Sequence, residues 1–251
     1  MVSAAWQRFA VTRLALAQRA HLCDALAAQG HDATCVIVAD DENLEIAQEY
    51  GFATCEQSND ALGRKFNDGI EYACGYLDAD YVVLIGSDDW LHPDAFQRLP
   101  KDACLPEMPT VENPAVVGRA VPEMVVGSHI VIVDLASGNA RMCVGAGRLG
   151  IIPWIMPRKL LRPSGYRPVP EMQRRGIDGS LWRGLGVRPK IVFSDPHWAA
   201  RIDFKSDTNL NSYKAISDSI GKGEEFHVSW LVDHYPMELV EKTTAWQSQL
   251  V

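Results

Sequence analysis

The amino-acid sequence predicts an α/β protein with a mostly parallel central sheet that is flanked by helices. Over the first 100 residues, short apolar segments of strand length alternate with helical segments. This alternation is typical of parallel sheets that carry helices on both faces. The segment 81–85 has the β-branched content of a buried strand, and Asp88 and Asp89 follow it closely. Because ligands of open α/β sheets bind beyond the carboxyl ends of the strands, these two carboxylates indicate a binding site at that edge.

The elements of the first half alternate regularly between strand and helix. They are a strand at 6–14, a helix at 15–29, a strand at 33–39, a helix at 43–50, a short strand at 52–55, a helix at 59–74, the strand at 81–85 and a short helix at 94–99. The first helix is rich in Ala and Leu with helical periodicity, and Gly30 suits its C-terminal cap. Gly51 closes the second helix in the same way.

The second half is predicted to contain fewer regular elements. Residues 100–123 contain five prolines and indicate a connecting segment. Two strands are expected at 125–135 and 140–144, and Ser137-Gly138-Asn139 between them suits a β-hairpin. A helix within 176–185 and a last short strand at 190–193 follow.

Composition narrows the class of protein. The chain has 251 residues, of which 47% are hydrophobic, and its net charge of −8 argues against broad, phosphate-driven binding of nucleic acid. Its six cysteines are widely spaced without a C-x-x-C pair, so neither a zinc site nor a disulfide framework is indicated. The N-terminus lacks the uninterrupted apolar core of a signal peptide, because Gln7, Arg8 and Arg13 interrupt it, and no run approaches the length of a membrane span. We therefore expect a cytoplasmic protein without membrane attachment.

Several phosphate-binding and hydrolytic motifs are absent or misplaced. The junction of the first predicted strand and helix lacks the glycines of a dinucleotide-binding turn. Residues 145–150 spell G-x-G-x-x-G, but they follow an antiparallel strand and precede a proline-broken segment. The sequence contains neither a P-loop nor a G-x-S-x-G nucleophile elbow. Dinucleotide, P-loop and serine-hydrolase chemistry are therefore disfavoured.

Two stretches together carry a resemblance to a known family. Residues 64–70 fit the pattern Arg-x-x-Asn-x-Gly-Ile, and the strand at 81–85 leads through Asp88-Asp89 to Pro93. In this combination the chain resembles the family-two glycosyltransferases of the GT-A fold. The resemblance implies a GT-A catalytic domain over 1–200, with a nucleotide-binding half at 1–100, an acceptor-side half with a small antiparallel hairpin at 124–200, and a C-terminal extension at 201–251.

The resemblance also implies a reaction and its catalytic group. Family members transfer a sugar from a nucleoside-diphosphate sugar to an acceptor hydroxyl, and the implied stereochemical outcome is inversion. Asp178 stands at the start of the helix within 176–185 and matches the position of the family's catalytic acid. It would take the proton of the acceptor hydroxyl as general base.

The metal and donor contacts are inferred in the same way. Asp88 and Asp89 would hold Mn²⁺ or Mg²⁺ against the diphosphate, and His197 matches a histidine that completes the metal shell in some relatives. Gly86 stands where many relatives carry a third acid, which leaves the strength of metal binding open. The residues expected to contact the donor are Arg13, Asp40, Asp41, Arg64, Asn67 and Asp88.

Two other functions remain compatible with the sequence. A nucleotidyltransferase on a related scaffold also holds Mg²⁺ with acids after a strand, and a non-catalytic GT-A-like module would keep the fold without activity. The acceptor also stays open among a protein, a glycan and a modified nucleobase, as does the oligomeric state.

Overall fold

A computed structural model describes residues 1–99, 122–127, 129–144, 151–174, 176–186, 188–193, 201–205 and 224–247. The strands are β1 Val2–Ala4, β2 Val36–Ala39, β3 Ala53–Glu56, β4 Tyr81–Leu84, β5 Asp89–Leu91, β6 Glu123–Gly127, β7 His129–Asp134, β8 Asn139–Val144, β9 Ile151–Pro157, β10 Lys190–Phe193, β11 Arg201–Lys205 and β12 Glu224–His227. The α-helices are α1 Phe9–Ala28, α2 Asn43–Glu49, α3 Leu62–Gly75, α4 Arg158–Leu161, α5 Ile177–Gly184 and α6 Met237–Gln247. Three short 3₁₀ helices cover Pro93–Phe96, Arg162–Ser164 and Val228–Asp233.

A seven-stranded sheet in the order β10-β6-β9-β4-β1-β2-β3 forms the centre of the molecule. β1 pairs in parallel with β2 and β4, β2 with β3, and β6 with β10, whereas β9 runs antiparallel to both β4 and β6. The α/β class with a mostly parallel sheet is therefore confirmed. Apart from Ser3 in β1, the strands β1, β2 and β4 are apolar, as expected for strands that are covered on both faces.

Helix α3 packs directly against the middle of this sheet. Its buried side includes Phe66, Ile70 and Ala73. Gly69 lets the helix approach β1, because a Cβ at this position would lie 2.4 Å from Cγ1 of Val2. Like α1, α3 begins after the carboxyl end of a parallel strand, so both helix N-termini lie at the edge where the sequence predicts the ligand site.

A second, five-stranded sheet has the order β12-β8-β7-β11-β5. β7 and β8 form the predicted antiparallel hairpin, and β11 lies between β7, its parallel neighbour, and β5, its antiparallel one. Ile202 and Phe204 of β11 are buried, and the Phe204 ring packs at 4.8 Å from the ring of Trp90. Residues of α1 and α6 complete this apolar cluster. No helix within the described ranges combines the length and hydrophobicity that crossing a bilayer requires.

Two predicted elements are wrong. Residues 6–14 do not form a strand: the first strand is β1, and α1 already begins at Phe9. Helix α1 contacts both sheets and is buried on several sides, so its apolar residues show no one-sided helical pattern at this end. The single strand expected at 125–135 is instead β6 and β7, which belong to different sheets. An apolar run does not reveal where a chain passes from one sheet to another.

Candidate functional site

Polar side chains gather where the parallel strands end. Arg8 lies in the connection after β1, Asp40 and Asp41 follow β2, and Asp88 and Asp89 follow β4. The carboxyl ends of neighbouring parallel strands meet at the same edge of a sheet. This edge therefore carries Asp40, Asp41, Asp88 and Asp89, which were named from the sequence, together with Arg8, which was not.

Three buried carboxylates form the centre of this region. Asp89 on β5 stands opposite Asp203 on β11 in the antiparallel register, and Asp88 precedes Asp89. One carboxylate oxygen from each of the three lies within 4.8 Å of the others. Oxygen donors of this type suit hard divalent cations such as Mg²⁺ and Mn²⁺. The acid cluster, defined here as Asp88, Asp89 and Asp203, can thus hold such an ion.

Basic side chains surround the acid cluster. Arg8 donates from Nη1 to Oδ2 of Asp88 at 2.9 Å and from Nη2 to Oγ of Ser87 at 2.8 Å. Lys205 places Nζ at 2.6 Å from Oδ1 of Asp203 and at 3.9 Å from Oδ2 of Asp88. Arg201 places Nη2 at 2.8 Å from Oδ1 of Asp89 and at 3.3 Å from Oδ2 of Asp203.

These charges move the pKa values of two of the acids in opposite directions. Burial raises the pKa of Asp88, but the charges of Arg8 and Lys205 outweigh burial and bring it below its usual range. Burial, with the charges of Asp89 and Asp88, raises the pKa of Asp203 to about 6 against the opposing charge of Arg201. The raised pKa of Asp203 follows first from its burial, because a buried site disfavours the charged form of a carboxyl group.

Gly86 is a geometric requirement of the acid cluster. Its backbone N–H donates to Oδ2 of Asp89 at 2.7 Å. A Cβ at Gly86 would lie 2.6 Å from that same oxygen and 3.0 Å from Oδ1 of Asp88. A third acid therefore has no room here unless Asp89 moves. Behind this turn, the fully buried Arg19 donates to the carbonyl oxygen of Gly86.

Asp40 and Asp41 are fixed by the neighbouring loops. Asp41 accepts hydrogen bonds from the backbone N–H groups of Gln7 at 2.8 Å and Asn43 at 3.0 Å. Asp40 lies 3.7 Å from Nζ of the buried Lys65, which donates to the carbonyl oxygen of Ala5 at 2.9 Å. Burial lowers the pKa of Lys65, although Asp40 opposes this shift.

Arg64 and Asn67 attach α3 to the segment 167–173. Asn67 donates from Nδ2 to the Val169 carbonyl at 2.6 Å and accepts from the Val169 N–H at 3.0 Å. Arg64 lies 3.5 Å from a carboxylate oxygen of Glu171. Gly63 permits this contact, since a Cβ there would lie 2.1 Å from the Pro170 carbonyl oxygen. Arg64 and Asn67, which were expected to contact the donor, thus bind the segment 167–173, which precedes α5.

The remaining predicted residues lie elsewhere or outside the described residues. Arg13, on the exposed side of α1, pairs with Glu49 at the end of α2, with one contact at 3.0 Å. Asp178 lies in the first turn of α5, and its side chain is outside the described residues. His197 also lies outside them.

Four residues around the acid cluster were not expected from the sequence: Arg8, Arg201, Asp203 and Lys205. Residues 201–205 alternate strictly between polar and apolar side chains, which is the pattern of a half-buried strand. That pattern was a usable signal for β11, but it does not show that the polar face of the strand meets Asp88 and Asp89. Arg8 was not identified because residues 6–14 were predicted to form a strand, whereas Arg8 lies in the loop between β1 and α1.

Comparison with known proteins connects this region to a family. The family model described as glycosyl transferase family 2 matches residues 20–107, a range that contains Asp88 and Asp89. No curated protein matches the chain. The resemblance that was inferred from residues 64–70 and from the acidic pair is therefore confirmed over this range.

Among solved structures, the similarities are distant. Staphylococcus aureus TarS 1-349 in complex with UDP-GlcNAc has 15% identity and a TM-score of 0.49, with 83% of this chain and 58% of that chain covered. A second TarS 1-349 structure has 18% identity and a TM-score of 0.46, with coverages of 81% and 59%. The inositol-1-phosphate CTP transferase from Thermotoga maritima has 13% identity and a TM-score of 0.44, with coverages of 97% and 95%. The chain thus spans less than two thirds of the TarS chains.

Proposed function

We propose that this chain, which is family-two-like over residues 20–107, transfers a sugar from a nucleoside-diphosphate sugar to an acceptor hydroxyl. The observation that carries the proposal is the acid cluster at the carboxyl edge of the central sheet, within reach of Arg8 and Lys205. The carboxylates at this edge can bind the metal ion, and the basic side chains can bind the diphosphate.

The donor would lie along the edge formed by the ends of β1, β2 and β4. Asp40 is exposed there and has acceptor oxygens for a ribose or nucleobase. Asp41 and Lys65 hold the loop after β1 in place through Gln7 and Ala5. Their contribution to donor binding would then be to fix the position of that loop.

Asp88 and Asp89, assisted by Asp203, would hold the divalent cation, for which Mn²⁺ and Mg²⁺ are the expected ions. A divalent cation bound there neutralises the negative charge that develops on the departing nucleoside diphosphate. Arg201 and Lys205 keep the carboxylates of the cluster together when no ligand is bound, because each lies within 4.0 Å of two of them.

Asp178 would remove the proton from the acceptor hydroxyl as the sugar is transferred. Its place in the first turn of α5 supports this role, since the helix N-terminus favours the ionised carboxylate that a base requires. A single base opposite the leaving group would give inversion at the anomeric carbon. A cytoplasmic location remains part of this proposal.

The first test is a donor screen followed by a transfer assay. UDP, GDP, CDP and ADP are tested for an increase in melting temperature with Mn²⁺, because a ligand that binds only the native state stabilises it. The matching sugar nucleotide is then assayed with Asp88→Asn and Asp178→Asn. The matched control is Asp78→Asn, which removes a carboxylate that is exposed and pairs with Arg158.

We expect both site variants to lose at least about a hundredfold in transfer rate, a loss typical of removing a catalytic acid–base or charge-stabilising group. The control should retain the wild-type rate. Full turnover by Asp88→Asn would refute the proposed metal–donor site. Full turnover by Asp178→Asn would refute only the assignment of the base.

One observation also favours the alternative function, that of a nucleotidyltransferase. Arg8 places a basic side chain in the loop after β1, where such enzymes carry basic residues against a nucleoside triphosphate. The discriminating assay supplies each nucleoside triphosphate with a sugar 1-phosphate and Mg²⁺ and measures pyrophosphate. Pyrophosphate release together with failure of sugar transfer would replace our proposal with this alternative.

A further inference from the structure

The backbone that carries Arg8 is held in an unusual conformation. Gln7 and Arg8 have φ values of 50° and 51°, so two consecutive non-glycine residues lie in the left-handed region. Such residues are sterically disfavoured and persist only where the surroundings hold them. Here Asp41 accepts the Gln7 N–H at 2.8 Å, and Asn43 donates to the Gln7 carbonyl at 3.1 Å. The strained turn aims Arg8 at Asp88.

The contact between Arg8 and Asp88 affects the net charge of the site, and therefore its ability to bind a cation. The acid cluster contributes three carboxylates, and Arg8, Arg201 and Lys205 each lie within 4.0 Å of at least one of them. Because the buried Arg19 also interacts with the charges of Asp88 and Asp89, the positive side chains at least balance the three carboxylates. A divalent cation that entered alone would add two positive charges to a buried region that is already balanced, and uncompensated buried charge is costly.

A nucleoside diphosphate changes that balance because it brings its own negative charge. The metal and the diphosphate together add little net charge, so each should favour binding of the other. Of the three cations, Arg8 is the one free to follow the ligand. Its side chain lies in a loop and is 20% exposed, whereas Arg201 and Lys205, which are 16% and 9% exposed, are held on β11 between two paired strands.

We propose that Arg8 exchanges partners during donor binding: in the free protein it neutralises Asp88, and in the loaded site it pairs with the donor diphosphate while the metal takes its place on Asp88. This inference rests on the proposed function, because it assumes a nucleoside-diphosphate donor. The guanidinium group suits both states, since it donates through two nitrogens to a carboxylate or to phosphate oxygens. Arg8 would thus make metal and donor binding cooperative.

The test is isothermal titration of Mn²⁺, alone and with a saturating nucleoside diphosphate chosen from UDP, GDP, CDP and ADP. The variants are Arg8→Gln, which removes the charge, and Arg8→Lys, which keeps it. The control is Lys242→Gln, which removes one positive charge from an exposed pair with Glu238 on α6. Melting temperatures are measured for each protein to identify a variant that fails to fold.

For the wild type and for Lys242→Gln, we expect the diphosphate to tighten Mn²⁺ binding at least about tenfold, within the usual range of coupling between two ligands. For Arg8→Gln, we expect Mn²⁺ alone to bind more tightly than to the wild type, because the ion pair between Arg8 and Asp88 no longer competes with the metal. The diphosphate should bind to Arg8→Gln more weakly than to the wild type, so that the factor by which it tightens Mn²⁺ binding falls toward one. Arg8→Lys should restore part of the coupling, since Lys keeps the charge without the planar fork.

Each outcome decides between distinct conclusions. The exchange would be overturned if the diphosphate tightened Mn²⁺ binding to a folded Arg8→Gln as much as to the wild type. It would also be overturned if Mn²⁺ alone bound Arg8→Gln more weakly than the wild type. Neither result would contradict the proposed function if sugar transfer is observed. Failure of every nucleoside diphosphate to bind the wild type would overturn the proposed function and the donor half of the exchange. In that case, the Mn²⁺ titration without nucleotide still decides whether Arg8 competes for Asp88.

Discussion

Replacing Gly86 by Ala should disrupt the acid cluster although it adds a single methyl group. The new Cβ would lie 2.6 Å from Oδ2 of Asp89, closer than real Cβ atoms come to a neighbour, and at a tight 3.0 Å from Oδ1 of Asp88. Asp89 has no free space to enter, because it is fully buried and paired with Arg201. The side chain or the turn must therefore shift, and the hydrogen bond from the Gly86 N–H to Asp89 lengthens or breaks.

The magnitude follows from two contributions. Overpacking of a tight interior costs about 1–3 kcal/mol, and a hydrogen bond to a charged group is worth about 1.5–3 kcal/mol. The two overlap, so we expect the free energy of unfolding to fall by about 2–4 kcal/mol and the melting temperature by about 5–12 °C for a chain of this size. A displaced carboxylate should also reduce sugar transfer about a hundredfold, since a shift of about 1 Å in a reacting geometry has that effect.

The assay combines thermal unfolding with transfer of the donor identified by the screen. Gly75→Ala is the matched control, because a Cβ at Gly75 meets no atom within 4 Å. We expect it to be neutral or to stabilise by up to about 1 kcal/mol. Gly86→Asp, which adds a third acid beside Asp88 and Asp89, should lose Mn²⁺ affinity because the added side chain displaces Asp89. Wild-type stability and turnover in Gly86→Ala, or tighter metal binding in Gly86→Asp, would refute the steric argument.

Three further predictions concern other parts of the molecule. Asn67→Ala should lower the free energy of unfolding in urea by about 2–4 kcal/mol, because it leaves the buried N–H and C=O of Val169 without partners; a loss below about 1 kcal/mol would contradict this. Lys65→Met should weaken nucleoside-diphosphate binding in calorimetry, because Lys65 fixes the Ala5 carbonyl before Arg8; unchanged affinity would count against it. Burial lowers the pKa of His92 from 6.5 despite nearby Asp94. Below pH 6.5 the unfolded chain therefore takes up a proton that the folded protein does not, so the stability of the wild type relative to His92→Gln should be greatest above pH 6.5 and should fall as the pH approaches the folded pKa. An equal stability difference at pH 7.5 and pH 5.5 would exclude this linkage.

The alternation of strands and helices in the first half was predictable because each element is local. Strand β4 and the acids after it occupy consecutive residues, so their apolar run and its end appear directly in the sequence. The same holds for the hairpin of β7 and β8, whose turn residues lie between its strands. Interactions between neighbours in sequence were therefore recovered.

The composition of the site was less predictable because it depends on pairings between distant residues. Asp203 meets Asp89 only through the register of β11 and β5, and no local pattern specifies that register. Similarly, Asn67 could be expected to bind backbone or ligand, and only the fold shows that its partner is Val169. The arginine at position 8 points to Asp88 through a backbone conformation that residue propensities disfavour.

The position of β11 between β7 and β5 in the second sheet has a consequence for the order of folding. The acid cluster joins residues that are more than a hundred positions apart, so it cannot form until β11 has been synthesised and has inserted between β5 and β7. Contacts of such long sequence separation form late, because the entropy of closing the intervening chain is lost first. During synthesis, Asp88 and Asp89 would therefore remain without Asp203 and Lys205 until most of the protein has left the ribosome. A chain that stops before residue 201 would keep the central sheet's strands but lack this half of the site.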